Sequence, residues 1–368
     1  MMNLFNGRAL LFGAFLCAPL MFSAMAESVP AGIIKEVASF PSQQVTGVAV
    51  SKGGRIFVNF PDWSDDHTIS VAELVDGKPK PYPNEEWNTK GAPGSHFVCV
   101  QSVYVDDTDV LWILDPAAPK MKETLEGGPK LLKVDLTSNK IVQTIRFDEK
   151  TAPKKSYLND VRVDTKSGTA YITESGLGAI VVVDLKSGRA RRLLDLHPST
   201  KAEPGFKLAV DGRELIDEGT KEPPKINADG IALDVNGEYL YYHALTGHTL
   251  YRVKTEHLKN ETLSAKELES KVETVTKTPA PDGMLEALDG NVYLTDIEHN
   301  AIVRFDPASK GVVRVVVDKR LQWPDSLSWA PDKSLYVTTS QIQNMPRFNG
   351  GKSARVEPYK VYKIELSH

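Results

Sequence analysis

The sequence predicts an all-β fold, a six-bladed β-propeller with four-stranded blades, and three observations carry that prediction. A strand–turn–strand pattern recurs six times, the recurrences are spaced as propeller blades are, and the two ends of the chain supply complementary leftover strands. The copies read TGVAVSKGGRIFV from Thr46, QSVYVDDTDVLWI from Gln101 and NDVRVDTKSGTAYI from Asn159. They continue as DGIALDVNGEYLYY from Asp229, DGMLEALDGNVYL from Asp282 and DSLSWAPDKSLYV from Asp325. Each joins two apolar, β-branched or aromatic runs through a turn of Gly, Asp, Lys or Ser, which is a hairpin signature. From Val48 to Leu327 five steps cover 279 residues, a period of about 56.

A second strand pair follows most copies, as in LLKVDLTSNKIVQTIRF, AIVVVDLKSGRARRLL and AIVRFDPASKGVVRVVV, so each unit holds four strands, A to D. Residues 33–40, IIKEVASF, precede the first A strand and read as a D strand. Residues 359–366, YKVYKIEL, read as a C strand with no D strand after it. The N-terminal strand is therefore expected to complete the last blade, closing the ring and hiding two edges. Three Pro- and Gly-marked stretches, 61–95, 197–227 and 341–357, read as long loops, where function concentrates on a rigid scaffold. The polar stretch 256–271 reads as a helical excursion. No linker divides residues 27–368, which are expected to form one domain.

With 41% hydrophobic and 25% charged residues in 368, the chain has the composition of a globular protein with a sizeable core. A net charge of −4 argues against a nucleic-acid partner, which would demand many phosphate contacts. No basic block suggests a membrane surface, and no later segment is apolar enough to span one. Arg8, the apolar run from Ala9, and Ala24-Met25-Ala26 read as a signal peptide cleaved after Ala26. Export to a periplasm or beyond the cell is the expectation, with a monomer that carries no membrane anchor. Cleavage removes one charge, taking the net from −4 to −5, and leaves Cys99 as the single cysteine. One cysteine forms no internal disulfide, and its alternating apolar setting, HFVCVQSV, reads as a buried thiol.

In a propeller, strand A lines the central channel. The residues just ahead of it, Thr46, Gln101, Asn159, Asp229, Asp282 and Asp325, should therefore ring one mouth. The ends of strand B, at Asn59, Asp115, Glu174, His243, Asp296 and Thr338, should return there. Converging carboxylates repel one another and titrate high unless a cation sits among them. Oxygen ligands of this kind suit Ca²⁺ or Mg²⁺, or an organic amine. The bland reading is turn chemistry, in which Asp before Gly bonds nearby backbone N–H groups. His96 and His299 read more readily as packing or surface residues, and so does His243. No nucleophile elbow, zinc-protease helix, CxxC pair or phosphate loop is present.

The chain resembles the royal jelly/yellow protein family in KPYPNEEWNT, YLNDVRVD with AYITES, LHPST, DGIAL with GEYLYYHALTGHTLYRV, NVYLTDIEHNAIVRF and WPDSLSW with LYVTTSQIQ. The resemblance implies a six-bladed propeller related to the SMP-30/gluconolactonase group. Insect members are linked to dopachrome conversion, and salivary relatives bind biogenic amines in the channel. The lactonase group holds a divalent cation with a first-repeat glutamate, two asparagines and an aspartate in a PDG setting. Asn159 and Asp282 match, Asp229 replaces an asparagine with another oxygen ligand, and Thr46 replaces the glutamate, a departure that removes a charge.

Three readings follow. In the first, a cation on Asn159, Asp229 and Asp282 polarises a small cyclic substrate, a lactone or an oxidised catechol. Asp282 or His243 then moves a proton, while Thr46, Gln101, Glu174, Asp296 and Asp325 contact the ligand. In the second, the ring is a non-catalytic receptor for a cationic or aromatic small molecule such as an amine. In the third, the propeller is a structural scaffold with an inert channel.

Overall fold

Strands such as Ala179–Asp184 (AIVVVD) and Thr169–Glu174 are buried along almost their whole length rather than at alternate positions. A strand of that kind has protein against both faces of its sheet, which is the condition inside a ring of stacked blades. The computed structural model describes Met1 and residues 32–366; residues 2–26 of the expected leader lie outside them. Six four-stranded antiparallel sheets follow one another around an axis. Their inner strands are Gly47–Val50, Ser102–Val105, Leu158–Asp164, Ala228–Leu233, Met284–Glu286 and Pro324–Trp329. Each inner strand runs beside that of the next blade, and Pro324–Trp329 runs beside Gly47–Val50.

Closure is as expected. Ile33–Phe40 pairs antiparallel with Tyr359–Glu365 as the outer strand of the sixth blade, with Ile34 opposite Ile364 and Phe40 opposite Tyr359. The stretch expected to be helical forms two short helices, Thr255–Lys259 and Ala265–Glu269. Ser264 and Glu267 cap the second reciprocally. Among the described residues, no helix is long and apolar enough to cross a membrane.

The apolar core is divided as the geometry requires. Six clusters lie between consecutive blades; Trp112, Leu114 and Leu131 of the second blade, for example, pack on Val161, Ile172 and Val181 of the third. A seventh sits off the blades, at one mouth, where Leu208, Leu245, Trp323, Ile342 and Phe348 join Trp63. The loops from 197 and 341 are tied together there by Arg347 on Asp217 at 2.5 Å. The stretch 61–95 is not one loop as expected: Val71–Val75 and Lys78–Pro81 are the two outer strands of the first blade, and Glu85–Asn88 is a short helix.

Candidate functional site at the channel mouth

The inner strands of blades three, four and six are not regular. Pairing slips between Leu158 and Val161, between Ala228 and Ile231, and between Pro324 and Leu327, so one extra residue is accommodated at each point. Such bulges bend a strand and re-aim its side chains. They fall at Asn159-Asp160, Asp229-Gly230 and Asp325-Ser326. The glycine of each Asp-Gly pair has its own reason. A Cβ at Gly230 would sit 2.8 Å from the Asp282 carbonyl oxygen, and one at Gly283 would collide with that of Asp325. Neighbouring blades approach too closely there for a side chain. Threonines fasten the same joints: Thr173 Oγ1 accepts from the Asp160 N–H and donates to the Asp229 carbonyl at 2.5 Å. Thr338 likewise accepts from Ser326 and donates to the Thr46 carbonyl.

Four expected residues, Gln101, Asn159, Asp229 and Asp282, line one cavity of about 210 Å³. The segment after the first blade's second strand and the loops from 197 and 341 all reach it, through Trp63, Ile226 and Phe348 among others. Asn159 Nδ2 donates to Asp229 Oδ1 at 2.5 Å, and Trp323 Nε1 donates to Asp282 Oδ2 at 2.6 Å. Asp229 and Asp282 are both buried here, and the charge of each bears on the other. Burial, then the charge of Asp282, holds Asp229 well above the ordinary carboxylate range. Burial pushes Asp282 up to about 7, against the Trp323 hydrogen bond, which favours its ionised form. Asp325 stands behind this floor rather than in it. It is buried, its Oδ2 has no hydrogen-bond partner, and burial followed by the Asp282 charge raises it well above the ordinary range. Thr46 is fully enclosed and takes the Asn59 amide on its hydroxyl at 2.9 Å.

The ends of strand B lie outside this cavity, bonded within their own surroundings. Glu174 Oε1 accepts the N–H groups of Tyr157, Gly176 and Leu177, and Oε2 meets Arg192 at 2.5 Å. Asp115 accepts from Val98, Cys99 and Ala117 and pairs with Lys130 at 2.8 Å, both side chains wholly buried. Asn59 bonds Thr46 and two carbonyls. His243 is enclosed between the Ala244 carbonyl and the Thr278 hydroxyl, and burial pushes its imidazole down to about 4. Asp296 meets His299 at 2.8 Å and Arg314 at 3.2 Å. With Glu298 these form the one trio among the described residues whose ligating atoms come within 4.8 Å of one another. Its charge is already answered by Arg314 and by His248, 2.7 Å from Glu298. His96 bonds Ser95 and the Ala92 carbonyl in a loop. Cys99 is buried, as its setting suggests, and burial raises its thiol far above the usual value.

Sequence reasoning passed over several residues. Tyr157 links two parts of the wall, accepting from Trp63 Nε1 at 2.7 Å and donating to Gln101 at 2.9 Å. Trp323 is the donor to Asp282. Asp160, next to Asn159, is buried in the channel and raised by that burial. The signal for Asp160 was present, in two polar residues side by side early in the strand, but the bulge that turns both inward was not legible.

A family profile described as Major royal jelly protein matches residues 98–355. Major royal jelly protein 6 of Apis mellifera is 28% identical over 192 residues, 48% of this chain and 40% of that protein. The matched stretch thus spans less than half of the bee protein's length. A gluconolactonase of Xanthomonas campestris superposes over 91% of this chain and 90% of its own, with a TM-score of 0.54 and 10% identity. Regucalcin of Agrobacterium tumefaciens, a calcium-binding protein, covers 91% of this chain and 94% of its own, with a TM-score of 0.55 and 13% identity. At these identities the two structures share the fold with this chain.

Proposed function

The chain belongs to the major royal jelly protein family, and we propose that its loop-covered channel mouth binds a small cyclic molecule and transfers a proton on it, as a hydrolase or a tautomerase. The Asp229–Asp282 pair carries this reading. Both carboxyl groups are desolvated, and Asp282, pushed up to about 7, exchanges a proton readily at neutral pH. On an oxidised catechol, Asp282 would take a proton from a ring carbon and the pair would return one to a carbonyl oxygen. On a lactone it would take a proton from the water attacking the carbonyl carbon, and the pair would return it to the ring oxygen as the acyl–oxygen bond breaks. Trp323 orients the accepting carboxylate in either case.

The donor set of Asn159, Asp229 and Asp282 fits a hard divalent cation such as Ca²⁺ or Mg²⁺, since all three offer oxygen and two can be charged. When bound, such an ion would polarise a substrate carbonyl. Thr46 supplies no charge where the lactonase group has a glutamate, and its hydroxyl is already bonded to Asn59. This weighs the reading toward proton transfer over lactone opening.

A second reading rests on the walls. Trp63, Tyr157, Trp323 and Phe348 surround the acidic floor, and aromatic faces over carboxylates suit an organic ammonium ligand bound without turnover. Metal analysis of purified protein, followed by a screen of lactones, catechol quinones and amines, separates these readings. Turnover that is lost in Asp282→Asn supports the enzyme. Amine binding without turnover on any compound supports the receptor and overturns the enzyme.

A further inference from the structure

The opposite mouth of the channel holds a second and larger cavity, of about 350 Å³, which shares no wall residue with the first. Its walls carry an apolar patch of Val48, Val103, Leu285, Leu327 and Trp329 beside polar residues that include Lys52, and its more buried cation is Arg162. Nine-tenths of that side chain is buried. Arg162 Nη1 donates to its neighbour's carbonyl, Val161 O, at 2.7 Å, and Nη2 donates across the channel to Met284 O of the fifth blade. The guanidinium lies over the Tyr104 ring at 5.2 Å. These contacts fix the fork in place without using it up. Asp160, the nearest carboxylate, stands 3.8 Å away, too far for the paired short bonds that an arginine makes with a carboxylate.

Asp106, Asp107 and Glu286, the other acids at this mouth, each accept a hydrogen bond from elsewhere. Asp106 accepts from Thr108, Val110 and the Trp112 indole, and Asp107 from Thr165. Glu286 accepts from the Val235 N–H, and its Oε2 is buried without a partner. Burial raises Glu286 to about 7, so it is protonated in part at neutral pH. A buried guanidinium with unused N–H groups, set beside an apolar and aromatic patch, is a receptor for a planar anion with a hydrophobic body.

We propose that this second mouth is a binding site for a small monocarboxylate bearing an apolar ring, gripped at its carboxylate by Arg162 and packed against Trp329 and Leu327. Calorimetry and backbone-amide NMR on the full chain with benzoate test it, with benzylamine and benzyl alcohol as matched controls. Benzoate is expected to bind at least about tenfold more tightly than either control, with shifts clustered at Tyr104, Ser328 and Trp329. Arg162→Met is expected to abolish the preference for the acid. Leu288→Asp, on the exposed rim, leaves buried Arg162 intact and is expected to weaken benzoate by repulsion while leaving benzyl alcohol unchanged. This second variant keeps the test decisive if Arg162→Met fails to fold. The proposal is overturned if benzoate binds no better than benzyl alcohol. Shifts that map to the Trp323 side, or a preference that survives both substitutions, overturn it too.

Discussion

Trp323 donates its indole N–H to Asp282 from a backbone with φ of 52°, so a buried, bulky residue is held in the left-handed region to reach the carboxylate of the preceding blade. A non-glycine residue keeps such a conformation only where its surroundings impose it, and such residues gather at functional sites.

Trp323→Phe removes that donor and with it a contribution favouring ionised Asp282. The Asp282 midpoint is expected to rise above its value of about 7, seen as an upward shift in carboxyl-carbon NMR titration. Stability is expected to fall by about 1–3 kcal/mol, because a buried acceptor is left without its partner. A downward shift would refute the assignment.

Asp282 also makes stability depend on pH. Unfolded, it ionises near pH 4, about 3.9; folded, at about 7. Between these values the folded state keeps a proton that the unfolded state has released, so this group's contribution falls as pH rises through the window and levels off above it. The shift sets a ceiling on the order of 4 kcal/mol. Asp282→Asn should therefore gain Tm over the unsubstituted protein at pH 8 and show no gain near pH 4. An equal difference at both ends would exclude this linkage.

Calcium is expected to stabilise the protein where protons do not compete for the same oxygens. At a hundredfold excess over Kd the gain is about 2.7 kcal/mol, larger at pH 8 than at pH 5, and absent in Asp282→Ala. Thermal scans with and without chelator read this directly.

Lys130→Met leaves Asp115 buried without its counter-charge. The pair is wholly enclosed at 2.8 Å, so a loss of about 3–5 kcal/mol is expected in urea unfolding. Replacing Asp115 as well should bring no recovery, since the N–H groups of Val98, Cys99 and Ala117 would then lose their acceptor.

Ile34→Asp places a charge where the closing strand packs on Leu335 and Ile364. A loss of about 3 kcal/mol or more is expected, together with association through the freed edge of Tyr359–Glu365, visible by size-exclusion chromatography.

The architecture was legible because it is repeated: six hairpins in register place themselves, and the unmatched strands at 33–40 and 359–366 could only pair with each other. The residues ahead of strand A were legible for the same reason. The ends of strand B were not, because their partners come from places no repeat specifies. Arg192 for Glu174 lies on the outer strand of the same blade, and Lys130 for Asp115 on its third strand. Trp323 stands 41 positions from Asp282. Asp160 and Arg162 sit beside a bulge that alternation along an ideal strand does not foretell.

Joining Ile33–Phe40 to Tyr359–Glu365 also imposes an order on biosynthesis. Ile33–Phe40 has no partner in the sixth blade until Tyr359–Glu365 has been made, and a side-chain contact such as Lys35 to Glu365 spans 330 positions. Any product stopped short of Tyr359 lacks the third strand of the sixth blade, leaves Ile33–Phe40 without a partner, and is expected to present raw backbone to proteases and to its own kind.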